Sequence, residues 1–260
     1  MKLSQMQDIA GCRAIVRSVA KVDELVSIYK QSDIRHSLVH EDDYIRQPRN
    51  SGYRSTHLVY RYRSDKNATF NDLKVEIQIR SPLQHAWATA VETVGTFIQQ
   101  ALKSSQGEED WLRFFALMGS AIATRERTPP VPGTPTSARE LRQEIRHFAR
   151  QLDVINHLRI YAAALERPEE FGATKNAHYF LLELDPSQRR MRITGYRSDE
   201  LERASADYLN VEREITTSAL SRDAVLLSVE SLAALRRAYP NYFLDTHRFI
   251  AAVRSALRSH

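Results

Sequence analysis

A single cysteine, Cys12, stands in 260 residues, so the chain can close no internal disulfide and build no cysteine-based zinc cluster. Beside the apolar Ala14–Val16 stretch this cysteine is expected to be a small buried hydrophobe. No apolar run approaches the roughly 18 residues that a membrane span needs. The opening MKLSQMQ has no signal-peptide core. A soluble, cytoplasmic chain that does not engage membrane is expected. Apolar residues make up 42% of the sequence, enough for one large domain or two modest ones. The net charge of +5, with 37 Lys and Arg, favours polyanionic partners such as nucleotides or RNA.

The most informative stretch runs from Asp43 to Glu92. HLVYRYR (57–63) and LKVEIQIR (73–80) both alternate with period two, which predicts an antiparallel hairpin closed by Ser64 to Asp72. On the second strand Lys74, Glu76, Gln78 and Arg80 share one face, and Val75, Ile77 and Ile79 share the other. The apolar face is core. The polar face is either solvated sheet surface or a site. Ahead of the hairpin, Pro48, Asn50, Ser51 and Gly52 form a loop presenting Tyr53, Arg54 and His57 at the strand entrance, and rigidly held loops concentrate binding chemistry.

DIAGCR (8–13), DYIRQPRNSGYRSTH (43–57) and EIQIR (76–80) resemble, in order and approximate spacing, the synthetase domain of the RelA/SpoT family, the alarmone pyrophosphokinases. LQHAWATAVETVGTF (83–97) and YPNYFLDT (239–246) resemble the toxic small alarmone synthetase branch that includes CapRel-type fused toxin–antitoxins. The resemblance implies an α+β fold: a nucleotidyltransferase-like mixed sheet flanked by helices, followed by a smaller C-terminal α+β module.

Read in order, residues 8–19 predict a strand opening at Asp8, 22–31 a helix, and 35–45 a second strand. After Ser81–Pro82 the period becomes helical, with Leu83, Trp87, Ala90, Val91 and Val94 on one stripe. Residues 107–126 predict a second apolar helix in which Trp111, Phe114 and Phe115 are core. RTPPVPGTPTS (127–137) holds four of the nine prolines and reads as loop or linker. One long amphipathic helix is expected over 138–166, its stripe made by Leu141, Ile145, Phe148, Leu152, Ile155, Leu158 and Tyr161; its arginines read as a solvated face or an RNA contact. From about residue 175 a β-β-α-β-α module without metal-ligand clusters is expected. The expected domains are 1–126 synthetase, 127–174 linker and helix, and 175–260 a regulatory, pseudo-zinc-finger-like module.

What the resemblance implies chemically is Mg²⁺-dependent transfer of pyrophosphate from ATP to a ribose 3′-hydroxyl of a guanine nucleotide or a tRNA 3′ end. Asp8 and Glu76 are the implied metal ligands, with Glu76 also the base. Tyr53 is the implied stacking platform for the acceptor base. Arg49, Arg54, His57, Gln78 and Arg80 are the implied holders of acceptor phosphate and ribose oxygens. Tyr239 and Tyr242 are the implied regulatory contact of the C-terminal module, and a phage trigger protein is the implied partner; two tyrosines packing a helix kinked at Pro240 is the alternative.

Two departures bear on this. Seven residues precede Asp8, where the family carries an Arg/Lys-rich ATP-binding segment, so the chain reads as N-terminally incomplete. The helix after EIQIR continues with Thr93, Gly95, Thr96 and Phe97 in place of the Glu-His and Tyr-Lys pairs of guanine-nucleotide synthetases. The first departure sets a catalytically degenerate domain that binds nucleotide or RNA beside the enzyme reading, and the second counts against GTP or GDP as acceptor.

Overall fold

In the computed structural model, residues 10–101, 107–166, 177–185, 190–218, 223–228 and 242–258 are described. They group into two compact units: Met1–Trp87 with Phe115–Leu141, and Ala88–Phe114 with Arg142–His260.

The first unit is built on a four-stranded mixed sheet: β1 (Ala10–Ile15), β2 (Ser37–Asp43), β3 (Thr56–Arg61) and β4 (Lys74–Arg80) in the order β1-β4-β3-β2. The expected hairpin is present, β3 pairing antiparallel with β4. β1 lies parallel to β4, which requires a crossover, and α1 (Val19–Gln31) supplies it. Helix α1 starts where the Ser18 side chain accepts the Lys21 N–H. It packs on a core of Val22, Ile45, Leu58, Tyr60, Ile77 and Ile79, the apolar face that the alternation predicts. Cys12, however, is exposed: β1 is an edge strand in which only Ala14 is even partly covered.

Beyond β4, α2 (Pro82–Ala101) is launched by a reciprocal cap. The Gln84 N–H donates to Ser81 Oγ (3.2 Å) and the Ser81 N–H to Gln84 Oε1 (3.1 Å). Trp87 is buried and its Nε1 donates to the carbonyl of Phe115 (2.9 Å) in α3 (Gly107–Glu126). Gly52 has φ +94°, and a β-carbon there would lie 3.0–3.1 Å from Phe115 O, Ala116 Cα and Trp87 Cζ2; only glycine satisfies both the backbone and the space. The proline-rich 127–137 stretch is an ordered loop of this unit, with Val131 buried and its N–H donating to Ser120 Oγ (2.8 Å).

The expected long helix is two. α4 (Ala138–Gln151) and α5 (Val154–Glu166) are separated at Asp153, a non-glycine residue at φ +41°. The Asp153 carboxylate accepts from Asn156 Nδ2, and His157 Nδ1 contacts the Leu152 carbonyl at 2.8 Å. The apolar stripe runs across the break without a change of period, which is why the sequence conceals it. The C-terminal part follows the expected β-β-α-β-α order: β5 (Tyr179–Asp185), β6 (Arg190–Tyr196), α6 (Leu201–Ser218), β7 (Asp223–Ser228) and α7 (Tyr242–Arg258). Its strands form an antiparallel sheet in the order β6-β5-β7, and Leu181, Tyr196, Ala204 and Ala224 make its core with α6. The DPSQ turn lies mostly outside the described residues, as do Tyr239 and Pro240. Among the described residues, no helix is long and apolar enough to cross a membrane.

Candidate functional site

The polar face of the first sheet is organised by strand register. His57 on β3 stands opposite Gln78 on β4 and Asp42 on β2, and Gln78 stands opposite Arg13 on β1. A polar row therefore crosses all four strands, with Glu76 and Gly11 one step along. Gly11 is paired with Glu76 and carries no side chain that could fill the space beside its carboxylate.

Five side chains, Glu76 among them, close a hydrogen-bonded ring. His57 Nδ1 is 2.7 Å from Glu76 Oε1, and His57 Nε2 is 2.7 Å from the Tyr53 hydroxyl. Arg80 donates to that hydroxyl (2.5 Å) and to Gln78 Oε1 (2.9 Å), and Gln78 Nε2 returns to Glu76 Oε2 (2.7 Å). One proton assignment satisfies every member. In it Arg80 donates to the Tyr53 oxygen, Tyr53 donates to His57 Nε2, and His57 Nδ1–H donates to the Glu76 carboxylate. The histidine is thereby held neutral in a single tautomer. Burial pushes its pKa below the ordinary histidine value, against the opposing pull of Glu76. Its side chain is 11% exposed and that of Glu76 14%.

Aromatic groups wall the ring. Tyr44 packs edge-on to His57 (5.2 Å) and to Tyr53 (5.8 Å), while the Arg80 guanidinium lies 5.1 Å from the Tyr53 ring centroid. Arg49 is 4.3 Å from the Tyr44 ring centroid and donates to its hydroxyl.

The structure thus brings together Glu76, His57, Tyr53, Gln78 and Arg80, with Arg49 beside them through Tyr44. Arg54 does not join them. It is 2% exposed and donates to the Ile45 carbonyl (3.0 Å), Thr128 Oγ1 (3.2 Å) and the Pro129 carbonyl. Burial lowers its pKa to about 10, opposed by Glu126. Its two terminal nitrogens tie the site loop to the proline-rich loop through Ile45, Thr128 and Pro129. Asp8 lies outside the described residues, as does Tyr239; Tyr242 is the first residue of α7.

Three features escaped the sequence reading. Arg13 reaches Gln78 Oε1 at 3.5 Å from β1. Its alternation with Gly11 in DIAGCR hinted at this, but placing it on the Glu76 face requires the parallel register. Tyr44 was visible only as a neighbour of Asp43. Glu126, which accepts from Gln84 Nε2 (2.8 Å) and from Ser81 Oγ, comes from a helix with no sequence link to the site.

As to metal, a carboxylate with two oxygens carries about four lone-pair positions, and Glu76 uses one on each oxygen within the ring. A hard oxygen donor with spare capacity suits a cation that takes one or two protein carboxylates and completes its shell with phosphate and water. Among the described residues no group of three or more His, Cys, Asp or Glu could enclose a metal by itself.

A mixed sheet with one carboxylate set in a ring of base, hydroxyl and guanidinium groups defines an α+β domain with a prepared polar face. Comparison shows what it is similar to: residues 1–96 match the model described as the region found in RelA / SpoT proteins. GTP pyrophosphokinase YwaC of Bacillus subtilis (strain 168) is 35% identical over 85 residues, 32% of this chain and 40% of that protein. GTP pyrophosphokinase YjbM of the same organism is 35% identical over 89 residues, 34% of this chain and 41% of that protein. A solved structure of small alarmone synthetase 1 from Bacillus subtilis bound to its product pppGpp aligns at 25% identity and a TM-score of 0.41, covering 48% of this chain and 61% of that one. The chain thus spans about two-fifths of the length of the curated relatives it matches.

Proposed function

We propose that the protein is a pyrophosphokinase that moves the β,γ-pyrophosphate of ATP to a ribose 3′-hydroxyl. The observation that carries this reading is the ring that sets His57 against the Glu76 carboxylate and ties both to Tyr53, Gln78 and Arg80. In the reaction the acceptor 3′-oxygen bonds to the β-phosphorus, the bond from that phosphorus to the AMP oxygen breaks, and the hydroxyl proton passes to Glu76. Tyr53 is the platform for the acceptor base, and Arg49, Arg80 and Gln78 meet acceptor oxygens, which means that the acceptor exchanges its own hydrogen bonds for some of those now closed within the ring. Glu76, with Asp8, would hold Mg²⁺. When bound, that ion supplies charge neutralisation at the phosphates.

The names of the relatives support a guanine nucleotide as acceptor, whereas the Thr93 to Phe97 stretch departs from guanine-nucleotide synthetases and leaves the tRNA 3′ end as the other acceptor. The protein works in the cytoplasm. Residues 175–260 restrain the synthetase until a trigger, such as a phage protein, releases it. Incubation with ATP labelled at the γ-phosphate, Mg²⁺ and GDP, GTP or tRNA in turn decides the reaction and the acceptor. Label transferred to one of them is expected. No transfer to any, beside a working alarmone synthetase, would overturn the proposal and leave a nucleotide- or RNA-binding domain.

A further inference from the structure

Helix α4 carries charge of one sign along one flank. Its buried residues are Leu141 and Ile145. At 3.6 residues per turn Arg142, Arg146 and Arg150 follow one another along one side of that apolar stripe, while Glu140 and Glu144 take the other. Each arginine stands four residues from the next, a spacing at which like charges destabilise a helix. Neither Arg142 nor Arg146 has a carboxylate three or four residues away. Asp153, three residues beyond Arg150, has both oxygens accepting from Asn156. Glu144 is held by Arg113 at 2.7 Å. Among the described residues no carboxylate pairs with the three arginines. Arg146 instead donates to the Leu257 carbonyl (3.1 Å) in the last turn of α7, where exposed Arg258 adds a further positive charge. No carboxylate among the described residues thus offsets the repulsion along this flank, and an anionic partner would.

The chemistry of that partner follows from the side chains. All the cations of α4 are arginines apart from His147, and the guanidinium fork matches two phosphate oxygens at once. Successive arginines rise about 6 Å along the helix, a ladder of separate anion contacts. A membrane surface would need exposed apolar side chains among the cations, and here Leu141 and Ile145 are buried and Phe148 is partly covered. We propose that Arg142, Arg146 and Arg150, with Arg258, form a docking surface for the phosphodiester backbone of a nucleic acid.

The test is fluorescence anisotropy of the whole chain, without ATP, against labelled tRNA, a DNA hairpin of equal length and vesicles rich in anionic lipid, repeated over a range of salt. Each phosphate neutralised contributes about 0.7–0.9 to the slope of log affinity against log salt. The triple variant Arg142→Gln, Arg146→Gln, Arg150→Gln should therefore lower that slope by about two to three. Gln keeps the helix propensity, which circular dichroism verifies. Removing the same charge elsewhere, with Lys21→Gln, Arg35→Gln and Lys66→Gln, should leave the slope within about one. Tighter binding of tRNA than of the hairpin would make RNA the polymer read here, and equal binding would make backbone charge the whole signal; both support the surface. An unchanged slope in the arginine triple variant, absence of nucleic-acid binding by the wild type, or binding of vesicles alone would overturn it. Because no turnover is involved, its failure is separate from failure of the pyrophosphokinase reading.

Discussion

His57 shows how one residue's surroundings decide its chemistry. In the sequence it is a histidine at a strand entrance; in the structure both ring nitrogens are committed, one to Glu76 and one to Tyr53. Its folded pKa lies below the ordinary value of 6.5, with burial the largest cause. The linkage follows in sign: above pH 6.5 the ring is neutral in both states and its contribution is complete, whereas below 6.5 the unfolded chain takes up the proton first and stability falls. Urea midpoints should thus decline as pH drops below 6.5, and His57→Gln should flatten that decline. A His57→Gln profile parallel to the wild type would show that the loss arises elsewhere. The alternation that set Glu76, Gln78 and Arg80 on one face was legible because a period of two needs no tertiary information. The fate of Arg54 was not, because carbonyls at Ile45 and Pro129 compete for its guanidinium, and long-range backbone acceptors leave no local pattern.

At the scale of elements, the junction of β4 and α2 deserves the closest test because Arg80 is the last residue of the strand and Ser81 caps the helix. Ser81 is fully buried and also donates to Glu126. Ser81→Ala should cost about 1–3 kcal/mol, the loss of a cap together with a carboxylate contact, measured by urea unfolding. A change below about 0.5 kcal/mol, the level of an ordinary surface substitution, would mean that the cap does not hold the junction. The hairpin, the crossover helix and the β-β-α-β-α order were readable from period and turn residues. The break at Asp153 was not, since it depends on one residue at positive φ supported by Asn156 and His157, while the apolar stripe passes over it.

At the scale of the molecule, a region that matches the RelA / SpoT model is followed in the same chain by a β-β-α-β-α stretch. If the module restrains the enzyme through the YPNY segment, Tyr239→Ala with Tyr242→Ala should slow the growth of cells expressing the protein without any trigger. Unchanged growth, set against toxicity on deletion of residues 175–260, would remove the tyrosines from that role and keep the restraint. Harmless deletion would remove both. All of this depends on the carboxylate at the centre of the ring acting as the base. The direct measurement is the rate of pyrophosphate transfer from labelled ATP at saturating acceptor, wild type against Glu76→Gln, which preserves shape and removes the charge. A kcat lower by about 10²–10⁴-fold with KM little changed is predicted; a kcat within about threefold of the wild type, far less than the loss of a general base, would contradict the account.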